Sequence, residues 1–480
     1  MIISEKVFIE KNNCIALKDS KGHSLTYGEM QDFCMNFNNS YKLKGRELVF
    51  ILCENTVPAA AFFIACIRNN VVPLLLSSSI DDDMLERYIS IYCPDCIYKP
   101  KKRRINYDGH SLSGFLDYEL IVAYNQGNNR PLYEELSFLL PTSGSTGSPK
   151  LVRHSYLNIN ANAQNVAKAF DLQGDECAML TLPIYFTQGL SVMCSHLYAG
   201  ACVFLTDAPL TSREFWDLMK NEKITSFTGV PYSYEILDKL RFYTMKLPDL
   251  KVISQGGGRL PDELFNKLSS YAGNNGKKFY ATYGATETTA RMSCLMPEYS
   301  ADKCGSIGKP LPGCEMWIED DMGNEVKVPG EKGEIIYKGD NVTLGYAESA
   351  DDLTKGDERN GVYRTGDLAY KDEEGFYYIT GRISRFIKIF GFRISLDETE
   401  RLVKSTFGND FACVGNDKLL CVFTSDQNVD THELLLFLKN KLQMNISCFR
   451  VTLIDEIPKN SYGKTNYSQL SEIFSNNLKE

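Results

Sequence analysis

The sequence predicts an α/β fold. A large N-terminal domain of mostly parallel sheets flanked by helices, with a β subdomain, precedes a small α+β C-terminal domain. Three observations predict it. At 480 residues the chain exceeds what one hydrophobic core accommodates, so two or more domains are expected. Short apolar runs alternate with helix-length segments through the first half, the pattern of parallel sheets covered by helices. The texture then changes twice, near residue 311 and again after Gly381-Arg382.

Residues 47–53 (Glu-Leu-Val-Phe-Ile-Leu-Cys) have the continuous apolarity of a buried strand. A helix over about 57–69 and a second strand over 71–76 follow. Phe138-Leu139-Leu140 and Leu151-Val152 read as two strands joined by a polar loop. The alternation then runs through strands at Ala178–Leu182, Cys202–Leu205, Ser226–Val230 and Lys251–Ser254. Helices are expected near 189–198, 211–221, 233–240 and 261–272. From about 311 to 380, short strands such as Trp317–Glu319, Gly333–Lys338 and Phe376–Thr380 stand between Gly and Asp turns, a small β subdomain. The remainder predicts a helix at Asp397–Thr406, a strand at Leu419–Thr424, a helix at His432–Leu442 and a strand at Val451–Ile454. The expected division is therefore 1–381, a hinge at 382–385, and 386–480.

Composition narrows the function classes. Hydrophobic content of 43% and charged content of 24% suit a soluble globular protein. A net charge of −9 argues against a general nucleic-acid binder. The one basic cluster, Lys99 to Arg104, reads as a solvated loop. The N-terminus lacks the apolar stretch of a signal peptide, and the longest apolar run, Val57 to Ile67, is too short to span a bilayer. Fifteen scattered cysteines suit reduced thiols in a cytoplasm better than a disulfide scaffold, and Cys93-Pro-Asp-Cys96 has no second pair to complete a zinc site.

The loop Thr142-Ser143-Gly144-Ser145-Thr146-Gly147-Ser148-Pro149-Lys150 is suited to hold a polyphosphate. Its glycines let backbone N–H groups close on an anion, its hydroxyls add donors, and Lys150 adds a mobile charge. A Walker A loop is excluded because Pro149 and Leu151 stand where Gly-Lys-Ser/Thr spacing and a helix start are needed. Taken alone, the loop also suits a plain Gly/Ser turn.

Further segments narrow the choice. Gln255-Gly256-Gly257-Gly258 follows a strand and lets a flat ring approach bare backbone. Tyr283-Gly284-Ala285-Thr286-Glu287 offers an aromatic face, a hydroxyl and a carboxylate able to hold Mg²⁺ against phosphate oxygens. Tyr363-Arg-Thr-Gly-Asp367 places an acid where it can accept hydrogen bonds from ribose hydroxyls. Gly381-Arg382 gives a glycine hinge and a cation, and Lys464 follows Gly463 near the C-terminus.

In this order and spacing the set resembles the adenylate-forming superfamily of acyl-CoA synthetases, peptide-synthetase adenylation domains and luciferases. Thr142–Lys150 matches its phosphate loop, Tyr283–Glu287 its Tyr-Gly-x-Thr-Glu motif, Tyr363–Leu368 its Tyr-Arg-Thr-Gly-Asp motif, and Gly305–Pro310 a connecting motif. The resemblance spans essentially the whole chain. It implies a C-terminal domain that rotates between two half-reactions. The first attacks the α-phosphate of ATP with a carboxylate, making an acyl-adenylate and pyrophosphate; the second passes the acyl group to a thiol. Lys464, Thr286 and Glu287 are implied as catalytic, Glu287 as the Mg²⁺ ligand, and Ser384 as the hinge residue. The resemblance puts ATP on Thr142, Ser143, Gly144, Ser145, Thr146, Gly147, Lys150, Gly256, Gly257, Gly258, Tyr283, Gly284, Ala285, Asp367 and Arg382.

The acid is expected against Phe186, Thr187, Val230, Gly256 and Ala285. No carboxylate occurs between Thr181 and Val192 to pair with an α-ammonium group, which disfavours an amino-acid substrate. Two departures from the family pattern stand out: Ser384 replaces the usual acid or lysine at the hinge, and Phe186 stands where many acyl-CoA synthetases have His. CoA is the expected acceptor. The pantetheine arm of a separate carrier protein is the alternative, because only residues 465–480 follow Lys464. From a different class, a phosphotransferase would make ADP, and a nucleotide-binding protein without catalysis would make neither product.

Overall fold

The computed structural model describes residues 2–477 except 113, 125–130, 142–149, 390–391, 417, 443 and 461–462; at 384, 386, 388 and 392–393 it describes backbone alone. The apolar runs fold as expected of a sheet covered on both faces. Leu48–Cys53 is buried throughout and pairs in parallel with Val72–Ser77, Phe50 opposite Leu74. Helix Val57–Arg68 connects them, and each of its residues from Val57 to Ile67 is buried. The longest apolar run of the sequence is thus an interior helix, and no helix among the described residues is long and apolar enough to cross a membrane.

The chain divides into two compact units. The first comprises Met1–Thr142, Ser148–Met316 and Tyr337–Tyr363. Among the described residues it holds two large sheets. One runs in the order Lys309–Pro310, Ala290–Leu295, Lys278–Ala285, Val252–Gln255, Ser226–Gly229, Cys177–Leu180, Cys202–Leu205, Ile15–Asp19, Ser24–Thr26. Its six central strands are parallel and its edges antiparallel. The other runs Gly345–Ala347, Leu151–Ser155, Leu136–Pro141, Val72–Ser77, Leu48–Cys53, Cys96–Pro100, Tyr118–Ala123, Gly109–Leu112. The main core lies where helix Val57–Arg68 packs against strands of both sheets, with Phe62 stacked on Tyr98 at 3.7 Å between ring centroids.

The second unit includes Trp317–Ile336 and Arg364–Glu480. It holds most of a four-stranded sheet (Glu315–Glu319, Lys332–Lys338, Val362–Lys371, Tyr377–Arg382) and a three-stranded one (Phe411–Gly415, Leu420–Thr424, Phe449–Leu453). Helices Leu396–Phe407, Thr431–Leu442 and Tyr467–Asn476 accompany the latter. The turn Ile383–Arg385 follows the last strand of the former. Arg385 is tied firmly into the unit: it lies 3.5 Å over the Tyr467 ring, pairs with Asp397, and reaches Glu400 at 3.2 Å.

The basic run 99–104 serves the fold. Lys99 is buried and pairs with Glu119 at 2.6 Å, Lys102 pairs with Glu54 at 2.8 Å, and Arg103 pairs with Asp82. All fifteen cysteines are free thiols, and Cys93 is exposed while Cys96 is buried.

Candidate active site

Cys177–Leu180, Ser226–Gly229, Val252–Gln255 and Lys278–Ala285 are consecutive parallel strands of the larger sheet. Their carboxyl ends lead into Phe186-Thr187, Val230, Gly256-Gly257-Gly258 and Tyr283–Glu287 respectively. Open α/β sheets bind ligands at this edge, so the topology gathers segments that lie a hundred residues apart in sequence. Phe186 caps helix Thr187–Tyr198, and Val230 caps helix Pro231–Lys239. A Cβ on Gly256 would sit 2.4 Å from Gln188 Nε2 and 2.6 Å from Thr282 Oγ1, so only glycine fits. Gln188 thus stands against Gly256, one of the residues expected to meet the acid, a placement its sequence position beside Thr187 did not reveal.

Thr286 and Glu287 form a 3₁₀ turn at the end of strand Lys278–Ala285. The chain leaves it through Thr289 (φ 50°) and Ala290 (φ 84°), both in the left-handed region. Side-chain-bearing residues there cost about 1–3 kcal/mol each and persist where surroundings impose them. Here Asn341 imposes them: its Nδ2 donates to the carbonyls of Thr288 (2.7 Å) and Arg291 (3.2 Å), and Thr289 Oγ1 donates to the Asn341 carbonyl at 2.9 Å. Strained backbone supporting a catalytic candidate is consistent with a pre-organised site. Asn341→Ala is expected to destabilise the first unit by about 1–3 kcal/mol by removing the side-chain donor to the Thr288 carbonyl, the Arg291 carbonyl keeping Asn162 Nδ2 at 3.1 Å; chemical denaturation reads the loss, and kcat should fall with it.

Glu287 is held at several points. Tyr346 Oη donates to its Oε1 at 2.7 Å, while its carbonyl accepts from Thr343 N (3.0 Å) and Thr343 Oγ1 (2.9 Å). Burial, and then the adjacent Glu287 carboxylate, raise the Tyr346 pKa, so the phenol remains a donor. Glu287 Oε2 carries no hydrogen bond among the described residues, which leaves it available to a cation. No group of three or more His, Cys, Asp or Glu among the described residues forms a metal cage. A single carboxylate fits Mg²⁺, which is held by one or two carboxylates together with substrate phosphates.

Two cations flank Tyr346. Lys150 Nζ lies 3.8 Å from its ring centroid and 3.3 Å from Glu348. Arg359 stacks on the same ring at 4.6 Å and on Tyr363 at 5.2 Å, and donates to Thr343 Oγ1. Lys150, Tyr346, Glu287 and Arg359 therefore form one cluster in the first unit. Tyr346→Phe is expected to lower kcat/KM up to about tenfold by removing one hydrogen bond to Glu287, read in an adenylation assay. The loop residues Thr142, Ser143, Gly144, Ser145, Thr146 and Gly147 lie outside the described residues.

The remaining candidates meet in the second unit. Asp367 is buried and faces Arg382 across the antiparallel pair, with Arg382 Nε donating to Asp367 Oδ1 at 2.8 Å. Lys464 stands in a turn closed by Asn460 N donating to the Lys464 carbonyl (2.8 Å) and Lys464 N donating to Asn460 Oδ1 (3.0 Å). Its side chain keeps access to solvent, yet the surrounding protein lowers its pKa below the ordinary lysine value. Arg382 pushes the same way and Asp367 opposes. If charged Lys464 is the active form, kcat at saturating ATP falls as pH rises, on a limb below the usual lysine range. Arg382→Gln removes the nearby cation and should move that limb to higher pH; a shift to lower pH would contradict the assignment. Ser384 lies in the turn Ile383–Arg385.

Comparison with known proteins follows the same lines. The sequence profile of the family described as AMP-binding enzyme matches residues 8–347. The 2-succinylbenzoate–CoA ligase of Geobacillus sp. (strain WCH70) is 30% identical over 357 residues, covering 72% of this chain and 70% of that one. The oxalate–CoA ligase of Arabidopsis thaliana is 27% identical over 493 residues, covering 94% and 93%. Among solved structures, O-succinylbenzoate coenzyme A synthetase from Bacillus subtilis in complex with AMP superposes with a TM-score of 0.78 at 22% identity over 97% of both chains. The same enzyme with ATP and magnesium ion gives 0.75 at 23%, covering 97% of this chain and 99% of that one. At these identities the likeness fixes the fold.

Proposed function

We propose, from the premise that this chain belongs to the AMP-binding enzyme family, that it is an AMP-forming acid–thiol ligase acting as an acyl-CoA synthetase. The observation that carries this reading is the Glu287 carboxylate at the carboxyl edge of the parallel sheet, with one oxygen tied to Tyr346 and Lys150 beside it. A carboxylate oxygen bonds to the α-phosphorus of ATP as the bond to the bridging β-phosphate oxygen breaks, and pyrophosphate leaves. A thiol then gives its proton to solvent, the thiolate attacks the acyl carbon, and the bond to the AMP oxygen breaks.

Charge accumulates on phosphate oxygens in the first step, so catalysis consists of positioning and electrostatics. In this reading the loop at 142–147 with Lys150 grips the β- and γ-phosphates and Thr286 meets the α-phosphate. Mg²⁺ bound by Glu287 would neutralise phosphate charge. Asp367 and Arg382 take the ribose, and Lys464 supplies the cation of the adenylation step. The relatives named as CoA ligases support CoA as acceptor. A division at 1–381, 382–385 and 386–480, with Ser384 as pivot, is part of the same proposal. It is supported by the strand Tyr377–Arg382 and the following turn that lead into the C-terminal helices and strands. Fifteen free thiols support a cytoplasmic setting.

Incubation with ATP, Mg²⁺, CoA and a panel of carboxylic acids tests the reading. AMP and pyrophosphate are expected in equal amounts, only with a competent acid. Formation of ADP would identify a phosphotransferase, and thioester formation only with a carrier protein would move the acceptor from CoA to its pantetheine arm.

A further inference from the structure

The first unit contains two fully interior arginines treated in opposite ways. Arg153 spends its donors: Nε on the Tyr346 carbonyl, Nη1 on the carbonyls of Lys355 and Gly356, and Nη2 on the Leu344 carbonyl and the Glu358 carboxylate. Arg291 does not. It is 3% exposed, its Nη1 donates to Ser191 Oγ at 3.2 Å, and its Nε has no partner. No ion pair forms with it among the described residues, and its guanidinium faces the Phe170 ring at 5.1 Å. Burial alone pushes its pKa down to about 10, with only Cys294 acting against that. His196 on the adjoining helix is bonded to the Val192 carbonyl and Ser226 Oγ, and burial holds it down to about 4, so it is neutral.

A buried cation without a counter-charge is costly and is retained where something compensates it. Its surroundings point to what that is. Arg291 lies opposite Gly284 in the antiparallel ladder, beside Ala290 and Ala285, which pair in turn. Its partner Ser191 stands one helical turn beyond Thr187. Arg291, on strand Ala290–Leu295, is therefore next to the elements that carry Thr187 and Ala285, two of the expected acid-binding residues. Those elements hold a second unspent donor. Gln188 Nε2 is buried without a partner, and its amide packs against Gly256 and Gly257. Gln188 and Ser191 share a helix face at i, i+3.

We propose that Arg291, assisted by Gln188, selects acids that carry a second carboxylate, the guanidinium pairing with the carboxylate that is not adenylated. The proposal rests on the acid–thiol ligase reading and deepens it. Guanidinium–carboxylate pairing supplies geometry as well as charge. A site built around a polar partner also rejects analogues lacking it far more strongly than an apolar pocket rejects a missing methylene.

The test is acid-dependent pyrophosphate release by the full-length enzyme with matched pairs: succinate and butyrate, glutarate and valerate, adipate and hexanoate, phthalate and benzoate. At least one diacid should exceed its monoacid partner about 100-fold or more in kcat/KM. Arg291→Met should collapse that ratio toward one, and Arg291→Lys should restore part of it. The preferred diacid should raise the melting temperature of the wild type but not of Arg291→Met, a readout independent of turnover. Monoacids used as well as their diacid partners, or a ratio unmoved by Arg291→Met, would overturn the proposal while leaving the ligase reading intact. Absence of pyrophosphate with every acid, together with ADP formation, would overturn both. An unliganded Arg291→Met that melts far below the wild type while keeping the diacid preference would mark the residue as structural and also refute it.

Discussion

Replacing Lys464 with alanine is expected to slow acyl-adenylate formation by about 10²–10³-fold, the range for removing one pre-organised donor to developing charge. Thioester formation from a supplied acyl-adenylate should stay near the wild-type rate. The split follows from chemistry. Adenylation gathers negative charge from a carboxylate and a triphosphate, whereas thiolysis begins from an adenylate in which that carboxylate is already bound to phosphorus as a mixed anhydride. Single-turnover assays of each half-reaction measure the two rates separately. Equal losses in both steps would remove Lys464 from its assigned role. The environment of Lys464 sets the pH range of that role: burial and then Arg382 lower its pKa below that of a surface lysine, so the cation is lost at a lower pH.

The second large effect concerns stability. Arg153→Met is expected to cost about 3 kcal/mol, read as a lower denaturant midpoint for the transition of the first unit. The cost does not come chiefly from the ion pair. Glu358 is 49% exposed, so it stays hydrated when its partner is removed, and Glu358→Gln should cost less than about 1 kcal/mol. It comes from the carbonyls of Tyr346, Lys355 and Gly356, which lose their Arg153 donors, and from the space the fully buried guanidinium leaves; the Leu344 carbonyl keeps Glu358 N at 2.9 Å. Tyr346 is the phenol that holds Glu287, so kcat should fall as well. A midpoint unchanged within error would show that these carbonyls find other donors.

Much of the fold was legible because its strands are buried on both faces. Leu48–Cys53 and Val72–Ser77 announce themselves by unbroken apolarity, and helix Thr187–Tyr198 by its length and bounds. The short edge elements were not legible. Gly345–Ala347 is three residues long, and Gly109–Leu112 has no fully buried position, so neither has a period to detect. The site divides in the same way. Glu287, Lys150, Asp367 and Lys464 stand in segments whose composition suits phosphate and ribose, and Asp367, Arg382 and Lys464 do come together in one unit. Tyr346 acquires its role only because the chain returns 59 residues later to place its hydroxyl on Glu287. Asn341 and Arg359 likewise act through partners 53 and 72 residues away. Gln188 and Arg291 are ordinary residue types in sequence, and what distinguishes them is hydrogen bonds they lack.

The row of strand ends also works as a ruler. Adjacent strands stand ~4.8 Å apart, so from the end of Lys278–Ala285 to that of Cys177–Leu180, three strands along, the interval is ~14 Å. Backbone hydrogen bonding sets that interval, and no exchange of side chains alters it. For an acid held along this row as proposed, Gly256 leaves the path clear and Val230 is the intermediate graduation whose bulk can shorten it. Helices and loops between the strands can lengthen or shrink while the spacing of the reactive groups stays constant.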